Sequence, residues 1–136
     1  MTEDHASARF DIPSPAAGCR VCSREWIPLD ELRLVEMESF YLDSHEGAGL
    51  DRCEVCGAIY LRAWLEVYDD TWRYLSPVSE EEARTVIEAF GEGPDEGERM
   101  VWRMVKERPA LQGPPGGKGV AWIRRPTIVG GPSYEV

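Results

Sequence analysis

The sequence predicts an α+β fold: a small antiparallel sheet tied together through cysteines, followed by two helices toward the C-terminal end. Three observations carry that expectation. Four cysteines fall in two pairs of identical spacing, Cys19-Arg20-Val21-Cys22 and Cys53-Glu54-Val55-Cys56. Ile59, Leu61, Ala63, Leu65 and Val67 alternate with Tyr60, Arg62, Trp64, Glu66 and Tyr68, the two-residue period of a strand. Ser79-Glu80-Glu81-Glu82, followed by apolar residues at helical spacing, is the signature of a capped helix. At 136 residues and 43% hydrophobic, the chain has the length of one domain and enough apolar mass for a core. The expected organisation is a flexible leader over 1–18, a single domain over 19–125 and a loose tail over 126–136.

In the leader, Pro13, Pro15 and Gly18 punctuate the approach to the first cysteine pair. Thirty residues separate Cys22 from Cys53, enough to hold structure of their own. Over 29–42, Leu32, Leu34, Phe40 and Tyr41 favour extended chain, although Asp30-Glu31-Leu32-Arg33 could open a short helix. Residues 44–51, with Gly47 and Gly49, read as a loop returning to the second pair. Gly57 follows that pair where the backbone often needs positive φ; Ser23 holds the equivalent place after the first.

The strand at 59–68 then turns at Asp69-Asp70 and returns over 72–75 before Pro77. Its aliphatic face belongs on the core. Its other face carries Tyr60, Trp64 and Tyr68, which serve either as cross-strand packing or as a partner-binding surface. The capped helix buries Ala83, Val86, Ile87 and Phe90 and stops at Gly91. A second helix is expected over 95–108, ended by Pro109, with Met100, Val101, Met104 and Val105 on one face. Trp102 lies about 200° around the axis from Met100 and is a further candidate contact residue. Residues 112–119 resemble a phosphate-binding loop only superficially, because Gln112 replaces its first glycine and Gly119 its Mg²⁺-binding Ser or Thr. That stretch reads as a linker, and 120–125 as an edge strand closed by Pro126.

The duplicated C-x-x-C is the most specific signal in the chain. Two residues between thiolates let the backbone form a knuckle that turns both sulfurs to one metal, and two knuckles complete the tetrahedral S₄ shell that Zn²⁺ prefers. Cys19, Cys22, Cys53 and Cys56 are therefore the expected ligands of a structural zinc ion. The same spacing also admits an iron–sulfur cluster, a pair of disulfides or thiol–disulfide catalysis. Arg20, Arg24 and Arg52 flank the pairs and either offset the thiolate charge or are ordinary surface arginines. His45 could replace a cysteine as ligand, but reads more simply as a solvated loop residue; His5 has no evident role. A metal with four protein ligands has no open position for water or substrate, so the site is expected to fold the chain rather than catalyse.

Composition narrows the function further. With 25 acidic against 15 basic side chains the formal charge is −10, which repels phosphate backbones and anionic lipid. No apolar run approaches the roughly 20 residues of a membrane span. Residues 1–9 have no basic stretch leading into an apolar one, so a cytoplasmic location is expected.

The paired knuckles Cys19–Cys22 and Cys53–Cys56-Gly57 resemble those of zinc-ribbon and treble-clef proteins, and more loosely those of bacterial double-CxxCG proteins, a family that includes immunity proteins. The resemblance covers the knuckles and departs from the second family at Ser23. It implies a small zinc-ribbon-like sheet in an acidic protein that acts by binding another protein. The expected activity is thus non-enzymatic: an immunity protein or adaptor whose acidity speeds encounter with a basic toxin or complex subunit. Two other classes compete. One is a zinc-ribbon subunit of nucleic-acid machinery, against which the charge weighs. The other is an enzyme using carboxylates such as Glu36, Glu38 or Asp43, which nothing in the sequence positions.

Overall fold

The computed structural model describes residues 12–126 and 128. Among these residues, seven strands form one antiparallel sheet: β1 (Trp26–Pro28), β2 (Leu34–Asp43), β3 (Glu46–Cys53), β4 (Ile59–Val67), β5 (Asp70–Val78), β6 (Ala110–Gly113) and β7 (Gly119–Ile123), in the order β1-β7-β6-β5-β4-β3-β2. Helices α1 (Glu80–Glu92) and α2 (Pro94–Glu107) pack on one face. The α+β class and the two helices match the sequence, but the sheet is larger than a small ribbon.

The alternation of β4 sorts its side chains as expected. Ile59, Leu61, Ala63 and Leu65 are buried beneath the helices with Ala48, Leu50, Tyr74, Val86, Val101 and Val105. On the opposite face a second core gathers Ala16, Cys19, Val21, Cys22, Ile27, Cys53, Tyr60, Leu111, Val120 and Trp122. The cysteine end of the molecule is thus an apolar core in its own right, on the face the helices leave free.

Several local expectations are corrected. Residues 44–51 are largely strand, not loop. Gly47 and Gly49 stand in β3 because β4 side chains lie across them: a Cβ on Gly47 would sit 2.7 Å from Trp64 Cε2, and one on Gly49 would sit 2.6 Å from Arg62 Cζ. The short helix allowed at 30–33 is a 3₁₀ turn at Leu29–Glu31. The β4–β5 turn falls one residue early. Val67 pairs with Asp70, so Tyr68 and Asp69 are the two loop residues, at φ 52° and 72°, the backbone that a tight hairpin requires. Helix α1 passes Gly91 and ends at Gly93, whose φ of 148° makes the break before Pro94 opens α2. Residues 110–113 form β6, and β7 lies between β6 and β1 instead of at an edge. The leader is packed from residue 12 onward: Ala16, in a 3₁₀ turn at Ala16–Gly18, is fully buried. Residues 1–11, which include His5, and positions 127 and 129–136 of the tail lie outside the described residues.

Candidate metal centre

The first cysteine pair sits in a turn before β1, where the Ser23 amide donates to the Cys19 carbonyl at 3.0 Å. The second closes the β3–β4 connection. There the Gly57 amide donates to the Cys53 carbonyl at 2.8 Å and the Val55 amide to Cys53 Sγ at 3.4 Å. Gly57 adopts φ 83°, as the sequence position suggests. Ser23 does not need that conformation: among the described residues, Tyr68 and Asp69 are the non-glycines at positive φ.

The two knuckles, 31 positions apart, bring their sulfurs together. All four Sγ atoms lie within 4.8 Å of one another, with Cys22 and Cys53 at 3.7 Å. Thiolates at 2.3 Å from a tetrahedral ion would be about 3.8 Å apart. A cluster of several irons and sulfides would hold its thiolates further apart than this, so the spacing of the quartet suits a single ion. None of the four is in a disulfide. Cys19, Cys22 and Cys53 are buried, and Cys56 is half-buried.

Electrostatics differ around the quartet. Burial pushes the Cys22 thiol far above the ordinary cysteine value and Cys56 up to about 11. At Cys19 burial also acts to raise the pKa, but the amides of Cys22 and Val21 outweigh it, so this thiol lies below its ordinary value. The fit to a cation rests on geometry and on one buried donor beside a sulfur. The Tyr60 hydroxyl is buried against the Cys22 sulfur and makes no well-formed hydrogen bond among the described residues. Burial holds it protonated, so it is a donor beside a sulfur that becomes a strong acceptor once ionised and metal-bound.

The sequence reading missed the centre's outer support. Trp122 in β7 donates its indole N–H to the Cys22 carbonyl at 2.6 Å, tying the first knuckle to a strand 100 residues away. Alternation of Val120 and Trp122 was the available signal, but their burial depends on β1 and β6 closing around them. Two of the flanking arginines have partners of their own. Arg24 pairs with Glu31, and Arg52 donates to the Gly57 carbonyl at 3.0 Å and meets Glu80 at 3.5 Å. Arg33, not singled out in the sequence, lies 3.8 Å from Glu54 inside the second pair. His45 is exposed, accepts no place in the quartet and lies 3.5 Å from Glu66.

The candidate partner residues are not brought together. Tyr60 is fully buried against the cysteines and Trp102 is 1% exposed, so neither presents a contact surface. Trp102 faces Tyr74 edge-on at 5.8 Å and donates to Glu46 at 2.8 Å. Trp64 lies over Gly47, partly covered, while Tyr68, 94% exposed, stands at the hairpin tip. The carboxylates Glu36, Glu38 and Asp43 are spread along β2.

No protein-family model, curated protein or solved structure matches the chain. No helix among the described residues is long and apolar enough to cross a membrane.

Proposed function

We propose that the chain is a non-enzymatic, zinc-stabilised module that works by binding another protein, in the manner of a bacterial immunity protein or an adaptor. The observation that carries the reading is the closed quartet: Cys19, Cys22, Cys53 and Cys56 supply four soft ligands within 4.8 Å, set inside an apolar cluster. Bound there, a zinc ion would supply a cross-link between the two knuckles, with no ligand position left for a reacting group. Soft thiolates in a compact quartet favour zinc over hard cations.

With the metal assigned to folding, the work falls to the surface. A charge of −10 favours a basic partner and disfavours phosphate backbones. Such a partner is a toxin acting on nucleic acid or a basic subunit of a larger complex. The carboxylates named above support no shared acid–base site: Glu36 and Asp43 are seven positions apart on one strand, about 20 Å along it.

The test has two arms. Elemental analysis of the purified protein is expected to give one zinc per chain; absence of metal overturns the structural assignment. Affinity purification from the native cell is expected to recover a stoichiometric basic protein. Tight retention of the chain alone on immobilised DNA or RNA at physiological salt would overturn the protein-binding reading in favour of nucleic-acid machinery.

A further inference from the structure

We propose that the outer edge of β2 is a docking site for an extended, basic segment of a partner protein, which joins the sheet as an added strand. The proposal rests on the protein-binding reading above and specifies its partner class. Strand β2 ends the sheet and pairs only with β3, so its outer row of amides and carbonyls has no strand beside it among the described residues. The opposite edge, β1, is three residues long, whereas β2 is ten. Long edges are commonly blunted by lysine or proline, and also by other charges, bulges or a covering loop; β2 carries acidic charges and two register shifts. Strand β2, Leu-Val-Glu-Met-Glu-Ser-Phe-Tyr-Leu-Asp, has neither lysine nor proline and exposes Val35 by 52%, Met37 by 41% and Tyr41 by 80%. The register shift between Glu36 and Glu38 leaves Met37 outside the pairing with β3, at the middle of this edge.

Charge decides the occupant. Glu36, Glu38 and Asp43 are exposed on the strand, which carries no cationic side chain. The neighbouring Arg62 is already engaged by Asp51 at 3.0 Å, the Glu38 carbonyl at 3.2 Å and Glu36 at 3.5 Å. A second copy of this chain would set Glu36 opposite Glu38 twice in an antiparallel pairing centred on Met37, between molecules that each carry −10. A strand bearing lysine or arginine reverses the sign of each of those contacts and is drawn in by the whole-molecule field.

The experiment uses the full metal-loaded chain and two labelled ten-residue peptides, one alternating Lys with Val and one alternating Glu with Val. The Lys peptide is expected to bind and to slow amide hydrogen exchange within 34–43; the Glu peptide is expected not to bind. Met37→Lys combined with Glu38→Lys, both exposed and both leaving the Glu36 carboxylate and the Glu38 carbonyl in place for Arg62, should weaken the Lys peptide by about tenfold and admit the Glu peptide. A native circular dichroism spectrum confirms that the variant is folded. Unchanged affinity in that variant, protection elsewhere in the chain, or protection of β2 by self-association without peptide would each overturn the proposal. If a partner recovered from the native cell binds this variant as well as the parent chain, the edge proposal falls and the protein-binding reading stands. If neither peptide nor partner binds the parent chain, both fall.

Discussion

The Tyr60 hydroxyl shows how one buried atom can report on a metal. Placed against the Cys22 sulfur without a well-formed hydrogen bond, it is poorly satisfied by a neutral thiol and well served by a metal-bound thiolate. Tyr60→Phe is therefore expected to keep the fold and weaken zinc affinity by about tenfold, measured by competition with a chromogenic chelator. Equal affinity in the two proteins would deny the hydroxyl any role in supporting the centre. The same residue marks where periodicity stops being informative. Alternation placed Tyr60 on the face opposite the aliphatic residues, and it is there, but the cysteine knuckles cover that end of the face. Trp102 is the helical counterpart. Measured from Met100 it lies across the helix, yet it is only about 60° from Val105, and Val101 and Val105 turn out to be the centre of the buried arc. Met100 and Met104 are at its margin, each partly buried.

At the scale of elements, β3 depends on its glycines and α1 on its first turn. Gly49→Ala would drive a Cβ to 2.6 Å from the Glu38 carbonyl, a backbone atom that cannot step aside, and is expected to cost about 2 kcal/mol. Urea unfolding with an unchanged slope and a lower midpoint would record it; a midpoint equal to the parent's would show that β2 and β3 can separate freely. The N-terminus of α1 is held by reciprocal bonds between Ser79 and Glu82, 3.0 and 2.9 Å, and Glu82 also accepts from Arg108 at 3.0 and 2.9 Å. The Arg108 hydrogen bonds hold the Glu82 carboxyl below its ordinary value, even though partial burial acts the other way. A depressed folded-state pKa contributes stability that is present above the unfolded value, about 4.3, and is lost as the pH falls through the folded one. Acid unfolding of Glu82→Gln should thus lose less stability than the parent as the pH falls below about 4.3. The difference should stay under about 1 kcal/mol because the pair is partly solvated. Parallel pH curves for the two proteins would contradict this.

Across the whole molecule, the centre joins regions far apart in sequence. The first knuckle reaches β7 through Trp122, and the second is continuous with β3 and β4, which carry the helix-side core. Zinc removal should accordingly loosen both faces of the sheet together. Cys53→Ser is expected to lose bound metal and to lower the melting temperature by about 15 °C, with a strong chelator producing a similar drop in the parent chain. A variant that kept its metal content and melting temperature would show that the quartet is incidental to the fold.

What the sequence by itself determined is what local rules govern. The spacing of Cys19, Cys22, Cys53 and Cys56 is set by knuckle geometry, the period of β4 by the pleat, and the start of α1 by a capping box, and each of these involves a few neighbouring residues. What only the tertiary structure decided is which surfaces are covered. Gly47 and Gly49 carry no local strand signal, because their reason for being glycine is the Trp64 and Arg62 side chains of the adjacent strand. Residues 110–113 become a strand through the neighbours they meet on both sides, β5 and β7. Tyr60 and Trp102 are enclosed by elements distant in the chain, while Val35, Met37 and Tyr41 of β2 stay open because β2 falls last in the sheet. Burial is a property of the packed whole, and no period of two or 3.6 residues encodes it.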